Sequence, residues 1–222
     1  MIEIKRDSCP AILMHSPTTR KLYNKPQVVK KLWKMQHGKC CYCESGIPED
    51  GYGKEVEHYY PQADSLYPHL RNDWNNLLLA CHSCNGKKHC QFPLDKNGNP
   101  LLIDPSVHGS DPEKYLDFEI DQDHPRFGEI KKTGNSVQGK KTIITIGLNR
   151  SELRIARKRY FMKLFAAYCE MINEEDQASV KKFVSLLGAN QRYAGFSRAF
   201  AKNHKKVLKR FQIDIPIRYE IP

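Results

Sequence analysis

No apolar run in this 222-residue chain approaches the roughly 20 residues that a helix needs to cross a bilayer, so a helical membrane protein is not expected. The opening stretch Met1-Ile2-Glu3-Ile4-Lys5-Arg6-Asp7 has no apolar core of the kind a secretory signal carries, which points to a cytoplasmic protein. There is no low-complexity tract and no internal repeat, which excludes a disordered tail protein and a solenoid. Acidic residues are in short supply. Asp and Glu number 25 against 36 Lys and Arg, a formal charge of +11, and that balance suits a polyanionic partner.

Cysteine is not scarce. Eight are present, and four fall in two Cys-x-x-Cys pairs, Cys40/Cys43 and Cys81/Cys84. In a reducing compartment paired cysteines hold metal more often than they form disulfides. Two thiolates on one tight turn supply half of a tetrahedral shell, so two such knuckles make a four-cysteine structural zinc site. Cys41 would pair with Cys43 in a poorer Cys-x-Cys chelate and is left out of the ligand set.

The gap between the knuckles is longer than a zinc ribbon needs, so another function is inserted there. Glu55 to Pro61 reads as a short strand ended by proline, with Gly51 and Gly53 marking a turn before it. Strict alternation puts Glu57 and His58 on opposite faces of that strand. Asp73 to Ala80 runs from turn residues into an apolar segment that delivers the second knuckle, and Cys84-Asn85-Gly86-Lys87-Lys88 opens a helix.

The motif Cys-x-x-Cys, then Val-Glu-His-x-x-Pro, then Asn-Leu-x-x-x-Cys-x-x-Cys-Asn-x-x-Lys, over Cys40 to Lys88, resembles the zinc-stapled version of the HNH nucleases on a ββα-metal scaffold. The resemblance implies His58 as general base, Glu57 and Asn85 as ligands of a catalytic Mg²⁺ or Mn²⁺, and Asn76 as the residue bracing the loop. It also implies phosphate contacts from Lys87 and Lys88, and products with a 5′-phosphate and a 3′-hydroxyl. The residue types fit that chemistry. A neutral imidazole is a suitable base near pH 7, and hard cations take carboxylate and amide oxygens while zinc takes thiolates.

The flanks extend the resemblance. Ile4-Lys5-Arg6, Trp74-Asn75-Asn76-Leu77, Ile103-Asp104-Pro105-Ser106, Asp111-Pro112-Glu113, Gly128-Glu129-Ile130 and Gly147-Leu148-Asn149-Arg150 are similar to the HNH protein of Septu-type and retron-associated anti-phage systems. That likeness implies a defence effector acting on nucleic acid, DNA foremost, and gated by a separate ABC-like ATPase. Two other readings stand beside it: a self-sufficient restriction-type HNH endonuclease, and a non-catalytic zinc module that binds nucleic acid.

Elsewhere, Gln27 to Gln36 has one apolar helical face. Tyr115 to Ile120 alternates as a strand with Phe127 to Lys131 as its hairpin partner, and Thr142 to Ile146 reads either as a strand or as part of a helix. Three helices are expected, over Ser151 to Ile172, Glu174 to Leu187 and Phe196 to Phe211. The second has an acidic first turn, and the first and third carry Arg and Lys that face a phosphate backbone. The sum is an α+β chain: an N-terminal arm and helix packing on the core (1–35), a zinc-stapled ββα-metal (HNH) nuclease core (36–95), a short β-rich connector (96–148) and a basic α-helical C-terminal region (149–222).

Overall fold

The computed structural model describes residues 1–14, 20–50, 52–63, 66–107, 109 and 111–213. Pro17 in the arm, Gly51 in the turn and residues 214–222 of the basic region lie outside them. Helix α1 spans Pro26–Met35, with proline at its first turn, where its missing N–H costs nothing. Val28 and Leu32, one turn apart, are its buried face. Beyond its end, Gly38 adopts φ +64° directly beneath Trp33, where an added Cβ would stand 2.8 Å from the indole ring. That reversal delivers the chain into the first knuckle.

Strand β1 (Lys54–His58) pairs antiparallel with β2 (Leu77–Cys81), and helix α2 (His82–Lys88) follows at once. The register sets Glu55 opposite Ala80, Glu57 opposite Leu78 and His58 opposite Leu77. Residues Leu77 to Ala80 are completely buried, because α2 covers one side of the hairpin and α1 packs against β2. Gln36 closes the free edge of β2: its amide nitrogen donates to the Leu79 carbonyl at 2.8 Å, and its oxygen accepts from the Leu79 amide at 2.7 Å.

In the connector, β3 (Leu116–Phe118) and β4 (Ile130–Lys132) form the expected antiparallel hairpin. Helix α3 (Val137–Ile146) resolves the ambiguity at Thr142 to Ile146 as helix. Ser136 caps it by accepting from Gly139 N, and Gly147 ends it at φ +64°. The β-branched run is tolerated there because Thr142 is buried and its hydroxyl accepts from Ile103 N at 2.9 Å.

Helix α4 (Ser151–Glu174) runs two residues past expectation and stops at Glu175, which is left-handed. The next helix, α5 (Gln177–Ser185), therefore starts after an Asp176 cap rather than at Glu174, and the acidic pair Glu174-Glu175 closes one helix instead of opening another. The expected helix over Phe196 to Phe211 is two, α6 (Ala194–Asn203) and α7 (Lys205–Arg210), broken at His204. The His204 ring stacks on Phe200 and its Nδ1 lies 2.9 Å from the Phe200 carbonyl.

One continuous buried cluster joins Met1 and Ile4, the knuckles, β2, the connector hairpin and the aromatic faces of α4 to α6. Among the described residues no helix is long and apolar enough to cross a membrane. Part of the basic character anticipated for the helices is buried or paired with acids. Arg198 is buried in α6, and Arg157 is 1% exposed, donating to the carbonyls of Gly128 and Leu148. Arg154 pairs with Glu129, Lys202 with Glu113 and Arg210 with Glu175. Arg159, Lys163, Lys205, Lys206 and Lys209 stay exposed.

Candidate active site and metal centre

The sulfurs of Cys40, Cys43, Cys81 and Cys84 all lie within 4.8 Å of one another, and no cysteine is in a disulfide. The first pair comes from the turn after α1; the second comes from the junction of β2 and α2. Cys41 is buried but outside the cluster, and its amide donates to Leu79 O, tying the first knuckle to β2. Hydrogen bonds from its neighbours hold Cys43 well below the ordinary thiol range, while burial pushes Cys40 well above it. A metal ion bound here would hold all four as thiolates.

Arg150, in the turn between α3 and α4, closes this centre. Its guanidinium nitrogens lie 3.4 and 3.4 Å from Cys84 Sγ and 3.8 Å from Cys81 Sγ. The Gly147-Leu148-Asn149-Arg150 motif is thereby accounted for, since Asn149 also clasps both backbone groups of Ile130.

His58, at the end of β1, is 6% exposed, and its ring is perpendicular to that of Tyr23 with centroids 4.6 Å apart. Its Nε2 sits 2.9 Å from the Arg71 carbonyl. A carbonyl only accepts, so Nε2 carries the proton and Nδ1 keeps the lone pair. Burial lowers the imidazole's pKa to about 4, so the ring is neutral at physiological pH. Asn76 braces the loop between the strands, accepting from Tyr60 N at 2.7 Å and donating to the carbonyls of Tyr60 and Leu70.

Residues 40–91 match the family model for HNH endonucleases. The chain carries an HNH endonuclease domain. It is 29% identical to Septu protein PtuB of Bacillus thuringiensis over 159 residues, 68% of this chain and 55% of that protein. It is 32% identical to Septu protein PtuB of Bacillus mycoides (strain KBAB4) over 161 residues, 62% of this chain and 52% of that protein. It is 26% identical to Septu protein PtuA of the same strain over 174 aligned positions, 71% of this chain and 24% of that protein. The chain thus spans about half the length of the PtuB relatives it matches.

Within the HNH domain, two residues sit differently from expectation. Lys88 is completely buried, with its ammonium 2.6 Å from Glu57 Oε1 and 2.7 Å from the His58 carbonyl, so it is not presented to a phosphate. Glu57 is 1% exposed and also accepts from the Tyr42 hydroxyl at 3.0 Å. Burial raises its pKa, and Lys88 and Tyr42 counter that rise. Alternation does place Glu57 away from His58, toward α2, but there it meets a lysine.

Asn85 lies one turn before Lys88 on α2 and meets Glu55 instead: Asn85 Nδ2 donates to Glu55 Oε2 at 2.5 Å. The other oxygen of Glu55 is 2.6 Å from His82 Nδ1. Glu55 and His82 were not among the predicted site residues, although alternation along β1 already placed Glu55 on the face of Glu57. Lys87 is exposed, beside Gly147. Arg6, in another of the flanking motifs, donates to the carbonyls of Trp74, Asn75 and Leu77 and to the Ser106 hydroxyl, which explains why those motifs belong together.

Proposed function

We propose that this chain is a metal-dependent endonuclease that hydrolyses phosphodiester bonds of nucleic acid, DNA foremost, as the effector of an anti-phage system under the control of a partner ATPase. The observation that carries the nuclease reading is His58: a buried, neutral imidazole, oriented by a backbone carbonyl, inside an HNH domain. Its Nδ1 is the atom that takes the proton from the attacking water.

A divalent cation, Mg²⁺ or Mn²⁺, would be held at Asn85, with water and phosphate oxygens completing its shell, and it would supply charge stabilisation at the leaving 3′-oxygen. Oxygen donors of these types suit a hard cation. Asn76 fixes the loop that carries the Arg71 carbonyl and so keeps His58 in its tautomer. Lys87 and the exposed lysines of α7 are the groups offered to the phosphate backbone. The four-thiolate centre would hold zinc: at a Zn–S length of about 2.3 Å, tetrahedral sulfurs stand about 3.8 Å apart, and Cys43 and Cys81 stand at 3.8 Å.

The defence role is supported by the likeness to Septu proteins of both kinds, PtuB and PtuA. The deciding experiment is plasmid cleavage by the zinc-loaded protein with Mg²⁺ or Mn²⁺, alone and with the proposed partner ATPase. His58→Ala and EDTA are the controls. Cleavage that needs the ATPase and is lost in both controls supports the whole reading. Cleavage without the ATPase favours a self-sufficient enzyme, and none under either condition favours a binding module.

A further inference from the structure

Glu55 and Glu57 share the α2-facing side of β1, but only one of them is available. Glu57 is sealed against Lys88 and Tyr42. Glu55 is partly exposed, its side chain at 34%, and is held from two sides by residues of α2. Because a carboxylate accepts and cannot donate, the group of Asn85 that faces Glu55 must be its NH₂. This removes the usual ambiguity between the amide's nitrogen and oxygen and turns Oδ1 away from Glu55. His82, bonded through Nδ1 to the other carboxylate oxygen, fixes Glu55 in turn.

We propose that Glu55, clamped by His82, is a positioning residue that orients the Asn85 amide so that its oxygen is presented to the catalytic cation. The inference rests on the nuclease reading above and goes beyond it, since it assigns work to a carboxylate outside the motif positions Glu57 and His58. The arrangement parallels metal-bound histidines, whose second nitrogen is held by a carboxylate. Loss of such an outer partner typically costs 10- to 100-fold in metal affinity. Here the outer partner of an amide ligand is at stake. His82 is exposed, so the clamp is a local hydrogen-bonded chain rather than part of the core.

The test counts Mn²⁺ bound by the zinc-loaded chain, by electron paramagnetic resonance of free Mn²⁺, in wild type, Glu55→Ala, Glu55→Gln and Asn85→Ala. Zinc content and thermal midpoint are recorded for each. Asn85→Ala is expected to abolish the site. Glu55→Ala should raise the Mn²⁺ dissociation constant about tenfold or more with zinc content unchanged. Glu55→Gln keeps an acceptor for the Asn85 NH₂ and should stay within about threefold of wild type. In cleavage assays, Glu55→Ala should raise the half-saturating Mn²⁺ concentration and regain most of its rate at saturation.

Wild-type affinity in Glu55→Ala overturns the proposal, as does a wild-type chain that binds no Mn²⁺ beside its zinc. Equal losses in Glu55→Gln and Glu55→Ala also overturn it, because they would make Glu55 a ligand through its charge. The nuclease reading is judged separately by His58→Ala, which should bind Mn²⁺ like wild type and fail to cleave.

Discussion

The seam between β1 and α2 has two ends, and each receives a glutamate from the same face of one strand. At the closed end Glu57 meets Lys88, and both are almost fully buried. At the open end Glu55 meets His82 and Asn85 beside solvent. Residue type and strand face are identical; the residue that α2 presents decides the outcome. A buried carboxylate must find a cation or lose its charge, and once Lys88 has neutralised Glu57 little is left to attract a metal ion. A partly solvated carboxylate can instead spend its two oxygens on orienting neighbours.

Both ends depend on the knuckles that fix α2 to β2, so removing the metal should erase the contrast altogether. Structural zinc sites contribute apparent folding energies on the order of 10 kcal/mol. Chelation, or Cys84→Ser, is expected to abolish zinc binding and to melt the hairpin and α2, read as lost amide-exchange protection over β1, β2 and α2. Retained protection in the metal-free chain would show that the shared core alone holds the seam.

The closed end is next in size. Lys88→Met strands the Glu57 charge in the interior, and breaking a buried pair from one side typically costs about 3–5 kcal/mol. The double variant Glu57→Gln/Lys88→Met leaves no unpaired charge and should recover most of that loss in urea unfolding. A double variant as unstable as the single one would mean that the pair acts through packing alone.

His58 gives the contrast a pH axis. Its pKa is lowered from 6.5 to about 4 on folding, by burial foremost. The folded state therefore prefers the neutral ring, and the sign follows: this stability is complete above pH 6.5 and is lost as pH falls toward 4. At about 1.4 kcal/mol per unit it amounts to about 3 kcal/mol. Comparing wild type with His58→Gln between pH 7 and 4 should show wild type losing ground by about that amount. The rate should hold its plateau well below pH 6.

Arg150 extends the comparison to the thiolates, where a second buried-side cation meets negative charge. Four thiolates on a dication carry a net charge of −2, and Arg150 offsets part of it through contacts to Cys81 and Cys84. Arg150→Ala should weaken metal retention by about tenfold or more, measured as faster zinc transfer to a chromogenic chelator. Arg150→Lys, with a point charge in place of the planar fork, should fall between.

The thiolate centre was legible in the sequence because ligand spacing is local: two Cys-x-x-Cys turns need no knowledge of the rest of the fold. The bracing contacts of Asn76 were legible by motif and the β3–β4 hairpin by alternation, while the role of base that the motif implies for His58 is for the cleavage assay to decide. What stayed hidden depends on tertiary partners. Lys88 reads as a surface lysine until α2 is docked and its face turned inward. Arg157 and Arg198 read as solvated until the packing of α4 and α6 buries them. The helix breaks at Glu175 and His204 rest on single left-handed or stacked residues, which periodicity averages away.

The smallest expected effect is the sharpest discriminator between the two glutamates. Glu55→Ala removes contacts to an exposed histidine and to a half-buried amide, leaving no unpaired buried charge behind. Exposed pairs of this kind contribute about 0–1 kcal/mol, so the thermal midpoint should move by no more than a few degrees. Lys88→Met, three residues from Asn85, should lower it by several times as much. A large loss in Glu55→Ala would mean that the open end is itself a structural joint. A small one leaves Glu55 as a residue the fold can do without, whose two well-made hydrogen bonds serve the orientation of Asn85.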